Sequence, residues 1–371
     1  MPFGSRLISR PKLQGLTSNR RATIHQRFSQ YSICKLVFFQ ARRRLTRRTG
    51  GGNNILGLLP LFDVIKRLRV AVVGETIRDT FVAVRPLSTP PEYGHVVVET
   101  VAQEEFFGGV LPVARDLASF VSSTCLVTND VGEISSRWSN PRLSIKGAEH
   151  APIRKTRYVS QEETLFFQCA WPRSSEWALG QPAFRQEALS AARSADLVVV
   201  IDYGHGLITP ELATELSETA RFLAVNCQAN GGAYPFHQAW KYPSFHLLML
   251  NEFEARLNCG MPQALTQSAL AQCLLDRSRA RYCIVTDASR GAWICSENQV
   301  THQRSLCTSI ADTIGCGDTM LGFCALAAAA ERDPADILYL GSVAAAAKAM
   351  TQVHAGQITP QELLDVETSI V

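Results

Sequence analysis

No aspartate or glutamate occurs among the first 62 of the 371 residues, although twelve lysines and arginines do. That leaves 25 of the 37 basic residues against all 33 acidic ones, a net of −8 for the remainder. A mildly acidic body does not suggest nucleic acid as its partner. The eleven cysteines include no Cys-x-x-Cys pair and no metal-ligand spacing, and several lie in apolar runs. They read as reduced, buried thiols, which points to a cytoplasmic protein. There is no Gly-x-x-x-x-Gly-Lys-Ser/Thr run, which excludes a P-loop mechanism, and no His-Glu-x-x-His or Gly-x-Ser-x-Gly, which removes the common zinc-protease and hydrolase readings. Nothing has the apolar length to span a membrane; the run from Ile55 to Phe62 is too short and contains Pro60.

At 46% hydrophobic content the chain can bury a sizeable core. Residues 1–67 stand apart, with abundant Arg and Ser, one acidic residue (Asp63) and the run Gly50-Gly-Gly-Asn-Asn54. A transit peptide or a basic tail for RNA or anionic membranes shares this composition. Without aromatic-basic interleaving or a periodic apolar face, a disordered extension is the favoured reading. From residue 68 the chain is regular. Strand-length apolar runs occur at Val70–Val73, Leu197–Ile201, Phe222–Val225, Leu247–Leu250 and Tyr282–Val285. Most are separated by helix-length segments such as Pro210–Arg221 and Ala264–Arg281. Such alternation predicts an α/β fold with a mainly parallel sheet covered on both faces. Each run is followed by a polar or glycine residue: Gly74-Glu75, Asp202, Asn226, Asn251-Glu252 and Thr286-Asp287. Ligands bind beyond that edge of such sheets.

The chain is organised around Asp312-Thr-Ile-Gly-Cys-Gly-Asp318 and the uncharged run Thr319 to Ala330 that follows it. A glycine loop entering a buried helix presents unpaired backbone N–H groups and the positive dipole end, a ready site for phosphate. Gly315 and Gly317 leave room for close approach. Asp318 would be an odd charge there unless it takes a proton from an attacking hydroxyl. The plain alternative is a helix N-cap.

The run Asp312-Thr-Ile-Gly-Cys-Gly-Asp318-Thr319 closely resembles the second signature of the ribokinase-like (PfkB) carbohydrate kinases. Cys316 replaces the usual Ala or Ser, and Phe323 stands where a small residue is customary. The resemblance covers residues 68–362, with 363–371 as a C-terminal tail, and implies a three-layer fold with a small inserted β lid. Lid strands are expected within about 94–107 and 153–170, read as an antiparallel sheet through which such kinases often form homodimers. Asn251 and Glu254 resemble the element that places Mg²⁺ through ordered water; Thr286 and Gly291 resemble the nucleotide turn, with Ala288 in place of a glycine. Asp312 and Thr313 complete the cofactor-side set. Asp79, Gly108 and Gly109 resemble sugar-contacting positions, although Pro112 replaces a customary Asn. The segments Asp202-Tyr-Gly-His205-Gly206 and Asn226-Cys-Gln228-Ala-Asn230 look like those of heptose 7-phosphate kinase domains of bacterial ADP-heptose synthesis, with His205 at a lysine position. Bifunctional members add a nucleotidyltransferase domain after the kinase, which with about fifty residues following the catalytic loop is expected to be absent here.

The resemblance therefore implies an ATP- and Mg²⁺-dependent kinase acting on a sugar or sugar phosphate, with a monovalent cation as a further candidate. Asp318 would be the base, and the N–H groups of Gly315, Cys316 and Gly317 the anion hole. Asp202, Asn226, Gln228 and Asn230 would join the acceptor set. The departures at Pro112, His205 and Ala288 motivate the alternative of a catalytically weak, sugar- or nucleotide-binding regulator.

Overall fold

The computed structural model describes residues 57–88, 96–148, 153–160, 165–171, 181–229, 237–261, 264–297, 299–350 and 356–370. In chain order the elements are α1 (Leu58–Ile65), β1 (Arg69–Gly74), β2 (Thr76–Ser88), β3 (Val97–Gly109), α2 (Val110–Ala118), β4 (Ser123–Asn129), α3 (Val131–Arg137), β5 (Leu143–Ala148), β6 (Ile153–Ser160) and β7 (Leu165–Trp171). There follow α4 (Gln181–Ser194), β8 (Leu197–Asp202), α5 (Pro210–Thr219), β9 (Leu223–Cys227), β10 (Leu247–Asn251), α6 (Glu252–Asn258), α7 (Gln267–Arg277), β11 (Tyr282–Thr286), β12 (Ala292–Ser296), β13 (Gln299–Gln303), α8 (Cys316–Ala329), α9 (Pro334–Met350) and α10 (Pro360–Ile370).

Nine strands form one sheet in the order β13-β12-β11-β10-β9-β8-β1-β4-β5, parallel throughout except at β12 and β13. The five apolar runs are its strands β1, β8, β9, β10 and β11; Val198 to Ile201 are fully buried because helices cover both faces. Helices α2, α8, α9 and α10 pack on one side and α4, α5 and α7 on the other. The sequence reading passed over β4, β5, β12 and β13. Their apolar residues are interrupted by Ser, Thr, Lys and Gln, and β5 and β13 alternate in exposure as edge strands do.

The lid is a four-stranded sheet, β3-β2-β6-β7. Strands β3, β6 and β7 fall where lid strands were expected, but β2 is its centre, and β2 pairs with β6 in parallel, so the sheet is mixed rather than antiparallel.

Both proposed tails need correction. Residues 58–65 are not part of an extension: Leu58, Leu61 and Ile65 make one apolar stripe with no exposed surface. Pro60 lies in the first turn, where a missing N–H costs nothing. Residues 1–56 lie outside the described residues. The supposed C-terminal tail is most of α10, with Leu363 and Val366 buried. Its Glu367 accepts from the Tyr339 hydroxyl (2.8 Å) and the Leu58 N–H (3.1 Å), tying the two ends of the body together. Phe323 packs edge-on against Phe120 (4.8 Å), which meets Phe62 of α1 (5.3 Å). The bulky residue of α8 is thus accommodated by an aromatic row that α1 completes.

Candidate active site

Between the lid and the carboxyl edge of the main sheet lies a cavity of about 220 Å³, lined among others by Asp79, Lys155, Arg157, Tyr203, Gln228 and Asp318. Asp318 is in the first turn of α8, but it is not the N-cap; that position is Gly315, at φ 78°. Its carboxylate turns away from its own helix. Oδ2 accepts from the Tyr203 hydroxyl (2.8 Å) and Oδ1 from Gln228 Nε2 (2.7 Å). The capping alternative therefore fails on geometry. Burial pushes the carboxyl up to about 6, while Tyr203, Gln228 and the Lys155 ammonium work the other way.

The loop before α8 leaves its backbone open. A Cβ on Gly317 would meet nothing within 4 Å, and one on Gly315 only Lys348 Cε at 4.0 Å. The Cys316 N–H, in contrast, donates to Thr313 O at 3.3 Å, so it is engaged in the turn. Asp312 Oδ1 accepts from the Ile314 N–H (2.9 Å), Oδ2 is buried without a partner, and Thr313 is exposed. Asp79 is buried and bonded by Arg157 (Nη2 3.1 Å, Nε 3.2 Å). Gly108 and Gly109 line the cavity; at Gly109 (φ 69°) a Cβ would fall 2.2 Å from Glu75 O, so only glycine fits this junction. Pro112 also faces the cavity.

Other expected site residues point elsewhere. Asp202 has no exposed surface and lies outside the cavity lining, with Tyr242 (2.7 Å), His237 (3.2 Å) and the Lys241 ammonium around it. Burial opposes its charge, but His237 and Lys241 outweigh that and hold its carboxyl below the usual range. Asp202, Cys227 and His237 do offer ligand atoms within 4.8 Å of one another. Lys241 already supplies the positive charge there, so the group is a buried ion-pair cluster. Asn226 is buried, donates to Met249 O (2.8 Å) and is not among the residues lining the cavity. Asn230 lies outside the described residues. Asn251 and Glu254 form a capping box: Asn251 Oδ1 accepts from the Glu254 N–H (2.9 Å), and Glu254 Oε2 from the Asn251 N–H (3.0 Å). The other Glu254 oxygen accepts from the Ala229 N–H (3.2 Å), fixing the loop that carries Gln228. The direct structural job of Glu254 is thus to shape this edge.

Thr286 lies opposite Asn251 across the β10–β11 register, at the same sheet edge. At Gly291 (φ 94°) a Cβ would lie 2.0 Å from Gln303 O, so the β11–β12 turn itself demands glycine. Gly291→Ala is expected to cost about 2–4 kcal/mol of stability, read by urea unfolding. Unchanged stability would mean that the turn relaxes freely. His205 Nε2 is buried and unpartnered; burial and then Lys155 push its imidazole down to about 4, so the lysine position holds no charge near neutral pH.

Sequence reasoning missed Tyr203, Lys155 and Arg157. The two cations stand at alternate positions of β6, hence on one face, which was the available signal. Lys155 sits over the Tyr203 ring (5.5 Å), and burial lowers its ammonium below the ordinary lysine range.

Residues 159–361, more than half of the chain, match the family model described as pfkB family carbohydrate kinase. Among curated proteins the chain is similar to the bifunctional protein HldE of Trichlorobacter lovleyi, 24% identical over 82% of this chain and 64% of that protein. It is 27% identical to HldE of Nitrobacter winogradskyi over 75% of this chain and 59% of that one. The chain thus spans about six-tenths of the length of these relatives. In fold it is similar to ribokinase from Thermotoga maritima (TM-score 0.63, 16% identity, 81% of this chain and 99% of that one) and phosphofructokinase-2 from Escherichia coli (TM-score 0.61, 16% identity, 82% and 99%). Among the described residues no helix is long and apolar enough to cross a membrane.

Proposed function

Since the chain belongs to the pfkB family of carbohydrate kinases, we propose that it transfers a phosphoryl group from ATP to a hydroxyl of a phosphorylated sugar, a heptose 7-phosphate being the first choice. The observation that carries this reading is the convergence on one cavity of the Asp318 carboxylate, the open turn at the start of α8, and the lid cations Lys155 and Arg157.

The residues fit a nucleotide phosphate at α8, where Gly315 and Gly317 leave the backbone uncovered. They fit Mg²⁺ only through water, since each Glu254 oxygen already accepts from a backbone N–H. When bound, ATP with Mg²⁺ supplies the transferable γ-phosphoryl group. Asp318 takes the proton of the acceptor hydroxyl as its oxygen attacks. The uncovered start of α8 stabilises the charge that develops on the transferring group. Asp79, held by Arg157, and the Gly108-Gly109 backbone orient the sugar. Lys155 and Arg157 face its anionic end, and Thr286 borders the nucleotide side. The regulatory alternative has little in its favour, because the departing residues leave the Asp318 arrangement whole. The lid also presents Val101, Leu165 and Phe167 to solvent, a surface suited to a second copy of this chain.

Lys155→Met is expected to raise the acceptor KM for a heptose 7-phosphate about tenfold or more while leaving that for ATP unchanged, since a charge-assisted bond is lost. Equal turnover of phosphorylated and unphosphorylated sugars by the parent, with no KM change in the variant, would refute the phosphorylated acceptor.

A further inference from the structure

We infer that Tyr203 and Gln228 are positioning residues, a two-donor clamp that orients the Asp318 carboxylate and keeps it competent as a base. This rests on the reading of Asp318 given above and assigns to the clamp a role that the acceptor-binding reading of Gln228 does not contain.

The clamp is built from three distant segments. Tyr203 directly follows β8, and its backbone N–H donates to Glu75 Oε2 (3.1 Å), a carboxylate with no exposed surface. Gly204 N–H donates to Asp202 Oδ1 (3.1 Å), so the turn on the far side of Tyr203 is also fixed. The phenol is buried, and its hydroxyl is 2.8 Å from Asp318 Oδ2. Gln228 is held in turn: its own N–H donates to Asp202 O (2.9 Å), and the next N–H to Glu254 (3.2 Å). Its amide lies 2.7 Å from Asp318 Oδ1.

One donor on each oxygen removes the rotational freedom of a carboxylate. Each oxygen keeps a lone pair for the cavity side, where an acceptor hydroxyl would arrive. Both donors also favour the ionised form, opposing the burial that favours the neutral one. Other charged groups face Asp318: Lys155 from the lid, Glu254 from α6, and, around the same cavity, Asp79, Arg157 and Lys348, with Glu75 beneath Tyr203. All of these remain when a clamp residue is changed, so the change isolates the donor.

The test is the pH dependence of kcat/KM from pH 5 to 9, with ATP and a heptose 7-phosphate as probe, for Tyr203→Phe, Gln228→Leu and Asp318→Asn, each checked by thermal melting. In each clamp variant the acid limb should move to higher pH by about one unit, with activity at pH 6.5 down about tenfold, partial recovery at pH 9, and an unchanged KM for ATP. A limb that stays in place in the folded clamp variants, whatever the loss of kcat, overturns the clamp. If Tyr203→Phe fails to fold, the limb of Gln228→Leu decides. Activity in Asp318→Asn would instead overturn the base assignment itself, which separates the two failures.

Discussion

Asp318→Asn is expected to lower kcat by about 10²–10⁴-fold, the usual loss when a positioned general base is removed. Nucleotide affinity should hold or improve, because a negative charge leaves the neighbourhood of the phosphates. Stability should not suffer. The carboxyl is raised to about 6, so the folded state binds its proton more tightly than the unfolded chain does, and ionisation above that value costs stability. Stability from this group is fully present below the unfolded carboxylate value and declines as pH rises through about 6. An uncharged amide removes that decline, and Tyr203 and Gln228 can turn to satisfy it. The variant should therefore melt at or above the parental temperature at pH 7.5. In the parent, the acid limb of kcat/KM should bend near pH 6 and fall about tenfold per unit below it. A variant that folds and still phosphorylates at the parental rate would sink the assignment, whatever the fold resemblance says.

The second large effect concerns α1. A chain begun at residue 57 should fold and melt like the whole protein, whereas one begun at residue 67 should lose about 5 kcal/mol or more, from three fully buried aliphatic side chains at about 1.5–3 kcal/mol each. This loss is a large part of the stability of an ordinary domain. A drop in melting temperature of at least about 10 °C, or insolubility, is expected. Removing α1 also exposes Phe120 and, behind it, Phe323 of α8, whose first turn holds Asp318. Leu61→Ala is the gentler probe, with an expected cost of about 2–5 kcal/mol. A chain begun at residue 67 that melts at the parental temperature would show that α1 merely rests on the body.

The sequence by itself determined the alternation of buried strands and helices, the sheet edge at which a ligand would bind, and Asp318 at the mouth of a glycine turn. Each of these is local: a run of Val and Ile, the polar residue that ends it, a glycine beside an apolar helix. It could not determine which residues serve Asp318. Tyr203 and Gln228 lie 115 and 90 positions away and meet it only because β8 and β9 are neighbours beneath α8. Nor could it show that Asp202, the last residue of β8, turns inward to Lys241 while Tyr203, the next residue, turns to Asp318. The capping box of Asn251 and Glu254 is local in sequence, yet only the fold revealed the second bond, to Ala229. Residues 58–65 looked like the end of a basic tail because three apolar side chains at helical spacing carry little signal after so many arginines. Tertiary structure decided the matter by placing their stripe against α8, α9 and α10. Periodicity reports on a segment's own geometry, whereas burial and the pairing of polar groups depend on strand order, which brings Glu75 and Tyr203 together across 128 residues.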